Sequence, residues 1–313
     1  MPIKTGLIGS PLNKSLSPRL FRIFSSELGE KYYYVLVGTR AAGLARTLGK
    51  IREAGWAGFN VTLPLKEKIL PLLDSLSPEA EAIGAVNAVR IKNGKLEGRN
   101  TDADAIKLAL AEAGFRPRGR TCVIWGAGGA ARAAAWALGS SGAGVVEIHN
   151  RSLSRAAALA KHLSALFPRT AFAARGFTAA PAGAAALFVN ATPLGMYGPL
   201  PAALRFEGRP GSLYLDLAYS GCAPLTPFLK DRTGGIVQGI DLLIYQALKS
   251  SELFGGRRIK TAEIVELKNR IKKGLGINPK TSSDSSHRRK PVSNPRRGLD
   301  SGFRRKDGTK KSC

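Results

Sequence analysis

The stretch Val123-Ile-Trp-Gly126-Ala-Gly128-Gly129-Ala130-Ala131-Arg132 constrains the chain most. Apolar residues run up to Trp125 and stop at a cluster of glycines, and an alanine-rich segment through Leu138 follows. The pattern predicts a strand, a tight turn and the start of a helix. Gly126 permits the turn, and Gly128 lets a backbone come close to a phosphate. Gly129 and the small Ala131 let helix and strand pack closely. The helix N-terminus offers unpaired N–H groups and a partial positive charge. A glycine-rich turn alone is common. Between a strand and a helix, residues 126–130 (Gly126, Ala127, Gly128, Gly129, Ala130) point to a dinucleotide.

The next strand selects the dinucleotide. Val145-Val-Glu-Ile-His149 is short and apolar and ends at Asn150-Arg151-Ser152-Leu-Ser-Arg155. An NAD site places an acid at the tip of this strand for the ribose 2′-hydroxyl. Here Arg151 occupies the tip and Arg155 lies one helical turn later. Guanidinium groups bind a 2′-phosphate by charge-assisted bonds, so the expected cofactor is NADP. The alternative is a solvated pair at a helix start. Cations there oppose the macrodipole, which favours an anionic ligand.

The 313 residues suffice for two domains with cores of their own. The N-terminus leads straight into a strand, so no signal peptide is expected. No run approaches ~20 uninterrupted apolar residues, which argues against a transmembrane helix. Cys122, Cys222 and Cys313 form no disulfide framework, which fits a reducing, cytoplasmic setting. His149, His162 and His287 lack metal-ligand spacing, so no metal site is expected. The formal net charge is +26, and residues 276–313 hold 11 Lys and Arg against 3 Asp and Glu. Such a surface attracts anionic metabolites and, less specifically, nucleic acid.

Read in order, residues 3–9 form a first strand that empties into Ser10-Pro-Leu-Asn-Lys-Ser15-Leu-Ser17-Pro18, with a helix from Arg19 to Leu28. Ser15 and Ser17 alternate, so on extended backbone both hydroxyls face one way and could hold a carboxylate. The alternative is that Ser17 caps the helix, with Pro18 in its first position. A strand is expected at 31–37 and a helix at 41–54. A further strand, 59–63, ends at Pro64, with Asn60 and Thr62 on one face and Lys66 just beyond. On its own Lys66 reads as a surface lysine. A strand is expected at 83–91, then a hairpin at Asn93-Gly94. The return strand leads to Asn100-Thr101-Asp102, where Asp102 reads equally well as the cap of a helix from about Asp104 to Ala113.

After a linker at 114–120, strands at 121–125, 145–149, 186–190 and 213–217 alternate with helical segments. That is the signature of a parallel, doubly wound sheet. Ligands bind beyond the carboxyl ends of such strands. Asn190-Ala191-Thr192-Pro-Leu-Gly195-Met196 and Asp216-Leu217-Ala-Tyr219 lie there. The small residues at 191–195 would let a nicotinamide lie against the backbone. Helices are expected at 239–254, with Asp241, Tyr245 and Gln246, and at 261–273. From Pro279 onward almost no apolar residue remains, so the tail is expected to be disordered.

In this order and spacing these pieces resemble the shikimate dehydrogenase family over roughly residues 3–274. The resemblance rests on Lys14-Ser-Leu-Ser-Pro18, Asn60-Val-Thr-Leu-Pro-Leu-Lys66, Gly84-Ala-Val-Asn87, Asn100-Thr-Asp102 and the glycine turn. Asn150-Arg-Ser-x-x-Arg155, Asn190-Ala-Thr-Pro193, Asp216-Leu-x-Tyr219 and Gly239-x-Asp-x-Leu-x-x-Tyr-Gln246 complete it. It implies an α/β substrate domain (1–101 and 238–275) with a Rossmann-like NADP domain (102–237) inserted and a basic tail (276–313). The implied reaction is NADPH-dependent reduction of 3-dehydroshikimate to shikimate, in aromatic amino-acid biosynthesis. Ser15 and Ser17 would bind the carboxylate, Tyr219 would contact the substrate, and Asn60, Thr62, Asn87, Asp102 and Gln246 would contact ring hydroxyls. Lys66 and Asp102 would form the catalytic pair. Residues 126–130, Asn150, Arg151, Ser152, Arg155, Ala191, Thr192, Leu217 and Gly239 would hold the cofactor.

Three departures stand out. Ser152 replaces a usual threonine but keeps the hydroxyl. The segment after Tyr219 is about two residues longer than the family pattern, and the basic tail has no counterpart. The tail reads as a nucleic-acid-binding arm or as sequence read through past an ancestral stop. The lack of interleaved aromatics favours the second. The nearest rival function is a quinate/shikimate dehydrogenase using NAD, which the paired serines and Arg151 disfavour. A non-catalytic NADP- or RNA-binding protein is disfavoured by Lys66 and Asp102. A folate or amino-quinate dehydrogenase is disfavoured by the serine-pair loop. The chain is expected to act as a monomer or homodimer.

Overall fold

The computed structural model describes residues 1–181, 184–194, 208–219, 234–255 and 257–277. In chain order these form β1 (Ile3–Gly9), α1 (Ser17–Leu28), β2 (Tyr32–Gly38), α2 (Leu44–Glu53), β3 (Gly58–Val61), β4 (Ser75–Leu76), α3 (Pro78–Ile83), β5 (Ala88–Lys92), β6 (Lys95–Arg99) and α4 (Thr101–Glu112). Then follow β7 (Thr121–Trp125), α5 (Gly129–Ser140), β8 (Val145–Asn150), α6 (Leu153–Leu166), β9 (Ala171–Gly176), β10 (Ala185–Asn190), β11 (Gly208–Asp216), β12 (Gly235–Val237), α7 (Gly239–Gly255) and α8 (Thr261–Gly274).

The first sheet has the order β2-β1-β3-β5-β6-β4. Its β1 pairs in parallel with β2 and β3, whereas β5 runs antiparallel to β3 and β6. The β5–β6 turn is the expected hairpin, with Asn93 at φ 51° and Gly94 at φ 72°. The sequence predicts a strand from Ile83, but residues 78–83 are helical. Ser77 caps α3 by accepting from the Ala80 N–H at 3.2 Å, Pro78 fills the first turn, and Gly84 ends the helix at φ 68°. These are strong helix-boundary signals, and they override the apolar run that reads as strand.

The second sheet has the order β12-β11-β10-β7-β8-β9, and all its pairings are parallel. Strand order reverses between β7 and β10, which opens a crevice above their carboxyl ends. Helix α5 covers this sheet closely because its inward face is methyl-sized. Ala131, Ala133, Ala134, Ala135 and Ala137 are all buried. On the opposite face Trp125 stacks on Phe188 at 5.6 Å.

One apolar core runs through both halves. It joins Phe21 and Phe24 of α1, Ile106 and Leu110 of α4, Leu138 of α5, Ile244 and Leu248 of α7, and Ile264 and Ile271 of α8. A separate cluster under the first sheet contains Leu44, Leu48, Phe59, Val61 and Leu65. Fully burying each large apolar side chain contributes roughly 1.5–3 kcal/mol. The shared core therefore ties α7 and α8, which come last in the described chain, to α1 and α4, which come early. Gly195, Met196, the segment after Tyr219, Cys222, His287, Cys313 and the tail beyond Ile277 lie outside the described residues.

Candidate active site

The crevice between the halves is a cavity of about 730 Å³. Its floor is the end of β3 and the turn after it. Asn60, the last but one residue of β3, is buried. Its Nδ2 donates to Ser250 Oγ of α7 at 2.8 Å and to the Asn87 carbonyl at 3.2 Å. The Tyr34 hydroxyl of β2 donates to Asn60 Oδ1 at 3.1 Å. Both ends of the amide are thus held and its face is fixed. Burial pushes the Tyr34 phenol well above its ordinary value, so it stays a neutral donor.

Lys66 stands just past β3, and its Nζ donates to Asp102 Oδ2 at 2.5 Å. Asp102 Oδ1 accepts from Asn87 Nδ2 at 2.8 Å. The pair is mostly shielded, with side-chain exposures of 17% and 14%. Asp102 is not the helix cap. Asn100 caps α4 instead, with Oδ1 accepting from the N–H groups of Asp102 and Ala103 at 3.1 and 3.2 Å. That leaves the Asp102 carboxylate to Lys66 and Asn87. Asn87 Nδ2 also lies 2.9 Å from Thr101 Oγ1 and 3.3 Å from Gln246 Oε1. Thr101 Oγ1 donates to the Gln246 carbonyl at 3.1 Å. This buried mesh joins β5, α4 and α7 beneath the cavity.

On one wall lie Ser15 and Ser17. Helix α1 begins at Ser17, its N-cap is Leu16, and no side chain caps it. Ser17 is therefore not the cap that its place before Pro18 predicts. Ser15 Oγ accepts from the Ser17 N–H at 3.3 Å, so the two residues turn together toward the cavity. Thr62, Tyr219 and Gln246 line it as well.

The opposite wall is formed by the glycine turn and the strand ends beside it. Gly126 through Ala130, Asn150, Arg155, Ala191, Thr192, Leu217 and Gly239 line the cavity. Gly126 has φ 115°, and a Cβ there would come within 2.9 Å of the Ala191 carbonyl oxygen. At Gly128 a Cβ would meet nothing within 4 Å, so it would project into open space next to the helix start. Helix α5 has Gly128 as N-cap, with no side-chain cap and no acid in its first turn. Its first N–H groups are therefore open to a phosphate, and the space a Cβ would fill suits a pyrophosphate. The residues present fit a dinucleotide.

Arg151 and Ser152 do not line the cavity. Arg151 is exposed at the start of α6, and Ser152 Oγ lies 2.9 Å from Ser154 Oγ. Asn150 Nδ2 donates to the Ser152 carbonyl at 2.9 Å and so shapes this turn. Arg155 does line the cavity and pairs with Glu67 of the facing half at 3.2 Å. Sequence reading misses Tyr34, Thr101, Ser250 and Glu67. Thr101 lies inside a recognisable motif and Glu67 directly follows one at Lys66, whereas Tyr34 and Ser250 are distant in sequence and meet the site by topology. No cluster of three potential metal ligands exists among the described residues.

Comparison with known proteins agrees with this geometry. The family described as the shikimate dehydrogenase substrate binding domain matches residues 7–89. A protein named shikimate dehydrogenase (NADP(+)) from a Geobacter species is 41% identical over 237 residues, covering 72% of this chain and 79% of that one. The solved shikimate 5-dehydrogenase of Thermus thermophilus, in complex with NADP(H) and shikimate, is 33% identical with a TM-score of 0.71. It covers 86% of this chain and 99% of its own. A quinate dehydrogenase from Corynebacterium glutamicum in complex with NAD is 29% identical with a TM-score of 0.72, covering 85% of this chain and 98% of its own. Sequence and architecture agree: the chain belongs to the shikimate dehydrogenase family.

Proposed function

We propose that the protein is an NADP-dependent shikimate dehydrogenase, reversibly reducing 3-dehydroshikimate to shikimate on the route to aromatic amino acids. The observation that carries this reading is the Lys66–Asp102 pair on a cavity shared with an uncapped glycine turn. Bound NADPH supplies the hydride to the C3 carbonyl carbon. Lys66 donates a proton to the oxygen that gains negative charge, and it stabilises that charge before the transfer. Asp102 orients the Lys66 ammonium through the 2.5 Å contact and accepts from a ring hydroxyl. In the oxidative direction Lys66 accepts the proton.

Ser15 and Ser17 hold the carboxylate by hydroxyl donors. Asn60, Thr62, Asn87 and Gln246 receive the ring hydroxyls, and Tyr219 closes the substrate from the nucleotide side. The N–H groups of residues 126–130 and the start of α5 hold the pyrophosphate. Arg155, with Arg151 and Ser152 at the same turn, meets the 2′-phosphate, while Ala191, Thr192, Leu217 and Gly239 flank the nicotinamide. The substrate unit is assigned to 1–101 and 238–275 and the cofactor unit to 102–237. The protein is assigned to the cytoplasm as a monomer or homodimer, with any nucleic-acid contact confined to the tail. In the described residues no helix is long and apolar enough to cross a membrane.

Shikimate added with NADP⁺ should raise absorbance from reduced cofactor, and NAD⁺ should give a far slower rise. No turnover with either cofactor refutes the proposal. Faster turnover of quinate with NAD⁺ favours the second reading, a quinate/shikimate dehydrogenase, which the engagement of Arg155 by Glu67 keeps open.

A further inference from the structure

Glu67 follows Lys66 directly and has no part in the chemistry above. Its carboxylate is shared between two arginines of the facing half. Oε2 accepts from Arg132 Nε of α5 at 3.3 Å, and Oε1 accepts from Arg155 Nη2 of α6 at 3.2 Å. The two arginines are held differently. Arg132 also donates through Nη1 to the Ile83 carbonyl at 3.1 Å, and its side chain is 21% exposed. Space for it is built in: a Cβ at Gly84 would come within 2.7 Å of that Nη1. Arg155 is 58% exposed, lines the cavity, and has Glu67 as its one ion-pair partner among the described residues. The two halves also touch beside this point, since a Cβ at Gly129 would come within 2.8 Å of Lys66 Cβ.

We propose that Glu67 is a releasable latch across the cleft and a determinant of cofactor affinity. It holds Arg155 while the site lacks an anion, and it yields Arg155 to the 2′-phosphate of the dinucleotide. The proposal rests on the reading of Arg155 as a phosphate contact. Three arguments support it. A phosphate monoester carries close to two negative charges near neutral pH, so it outcompetes a single carboxylate for one guanidinium. The carboxylate on Arg155 repels the incoming phosphate until it is displaced. Arg132, pinned by the Ile83 carbonyl, keeps Glu67 neutralised after Arg155 leaves, so release strands no unpaired acid. The Arg132 link is then the fixed pin between the halves and the Arg155 link the movable one.

The test is direct titration of the full-length protein with NADP⁺ and with NAD⁺, for wild type, Glu67→Gln, Arg155→Ala and the double variant. Thermal melts accompany each titration to show that every variant folds. Glu67→Gln should tighten NADP⁺ about two- to fivefold, the range expected for losing one partly exposed ion pair, and leave NAD⁺ essentially unchanged. The gain should vanish in the Arg155→Ala background. Equal weakening of both cofactors, or an unchanged ratio between them, overturns the latch. If Arg155→Ala weakens NADP⁺ while Glu67→Gln fails to tighten it, the latch alone falls. If Arg155→Ala leaves NADP⁺ unchanged, the phosphate reading falls and takes the latch with it.

Discussion

At the scale of single residues, the site depends on side chains that hold one another in place. Asn87 fixes Asp102, Asp102 fixes Lys66, and the ammonium keeps donors free for the cavity. Lys66→Ala should therefore leave substrate affinity largely intact and lower kcat by roughly 10²–10⁴, the usual worth of a positioned acid. Steady-state kinetics with shikimate and NADP⁺ checks this, and a near-normal kcat would remove Lys66 from the mechanism. A second residue, Asp216 at the end of β11, carries a different liability. Burial pushes its carboxyl up to about 6, although hydrogen bonds from the Ala218 N–H and Asn190 Nδ2 act to lower it. A raised carboxyl pKa means the folded chain binds the proton more tightly than the unfolded one. Its contribution to stability is complete below about pH 4 and is lost as pH rises through about 6. A shift of about two pH units corresponds to about 3 kcal/mol. Asp216→Asn keeps an acceptor oxygen and removes the buried charge. The stability of the variant relative to wild type should grow by about that amount between pH 4 and 7 in denaturant titrations. A difference that stays flat with pH would contradict it.

At the scale of elements, α8 looks like an ordinary amphipathic surface helix in sequence, with Lys268 and Lys272 one turn apart. The fold buries both. Lys272 Nζ donates to Asp241 Oδ1 of α7 at 2.8 Å, and Lys268 Nζ donates to Glu112 of α4 at 2.6 and 2.7 Å. The Tyr245 hydroxyl adds a bond to Glu112 at 2.7 Å. Helix α8 is thereby tied to α7, which carries Gln246, and to α4, which carries Asp102. Lys272→Ala leaves the buried Asp241 carboxylate with only the longer Lys268 contact, 3.5 Å, and should cost about 3 kcal/mol, the low end for breaking a buried pair. Replacing both partners, Lys272→Met with Asp241→Leu, should cost much less, because Lys268 keeps Glu112. Melting of the two variants decides between them; equal losses would mean the pair acts through packing alone. This network also marks the limit of sequence reading. The glycine turn, the alternation of strands and helices and the Asn93-Gly94 hairpin are local signals, and all are legible. The burial of two lysines, the sharing of Glu67 and the bracing of Asn60 by Tyr34 and Ser250 arise between segments far apart in sequence. No local pattern announces them. The strand predicted from Ile83 fails for a different reason, since Ser77 and Pro78 carry helix-start signals that an apolar run obscures.

At the scale of the whole molecule, the active cleft needs both ends of the described chain, because α7 and α8 complete the core begun by α1 and α4. That sets where the chain can be shortened. Leu275 is buried and Ile277 packs against the same core. The residues from Pro279 to Cys313 carry almost no apolar side chains and much positive charge. Such a composition has little to gain by docking. Removing residues 279–313 should leave the melting temperature within a few degrees, with kcat nearly unchanged. Removing everything from Ile271 onward deletes Lys272 and Leu275 and strands Asp241 beside Lys268 alone. That version should lose stability heavily or fail to fold. The shorter cut has one further consequence. It lowers the net positive charge, so weak non-specific attraction of anions falls, most visibly at low salt. The KM for NADPH should then rise slightly at low ionic strength and match that of the full chain at moderate salt. A large loss of melting temperature on removing 279–313 would mean the tail packs after all. A loss of RNA binding with catalysis intact would identify it as a nucleic-acid arm.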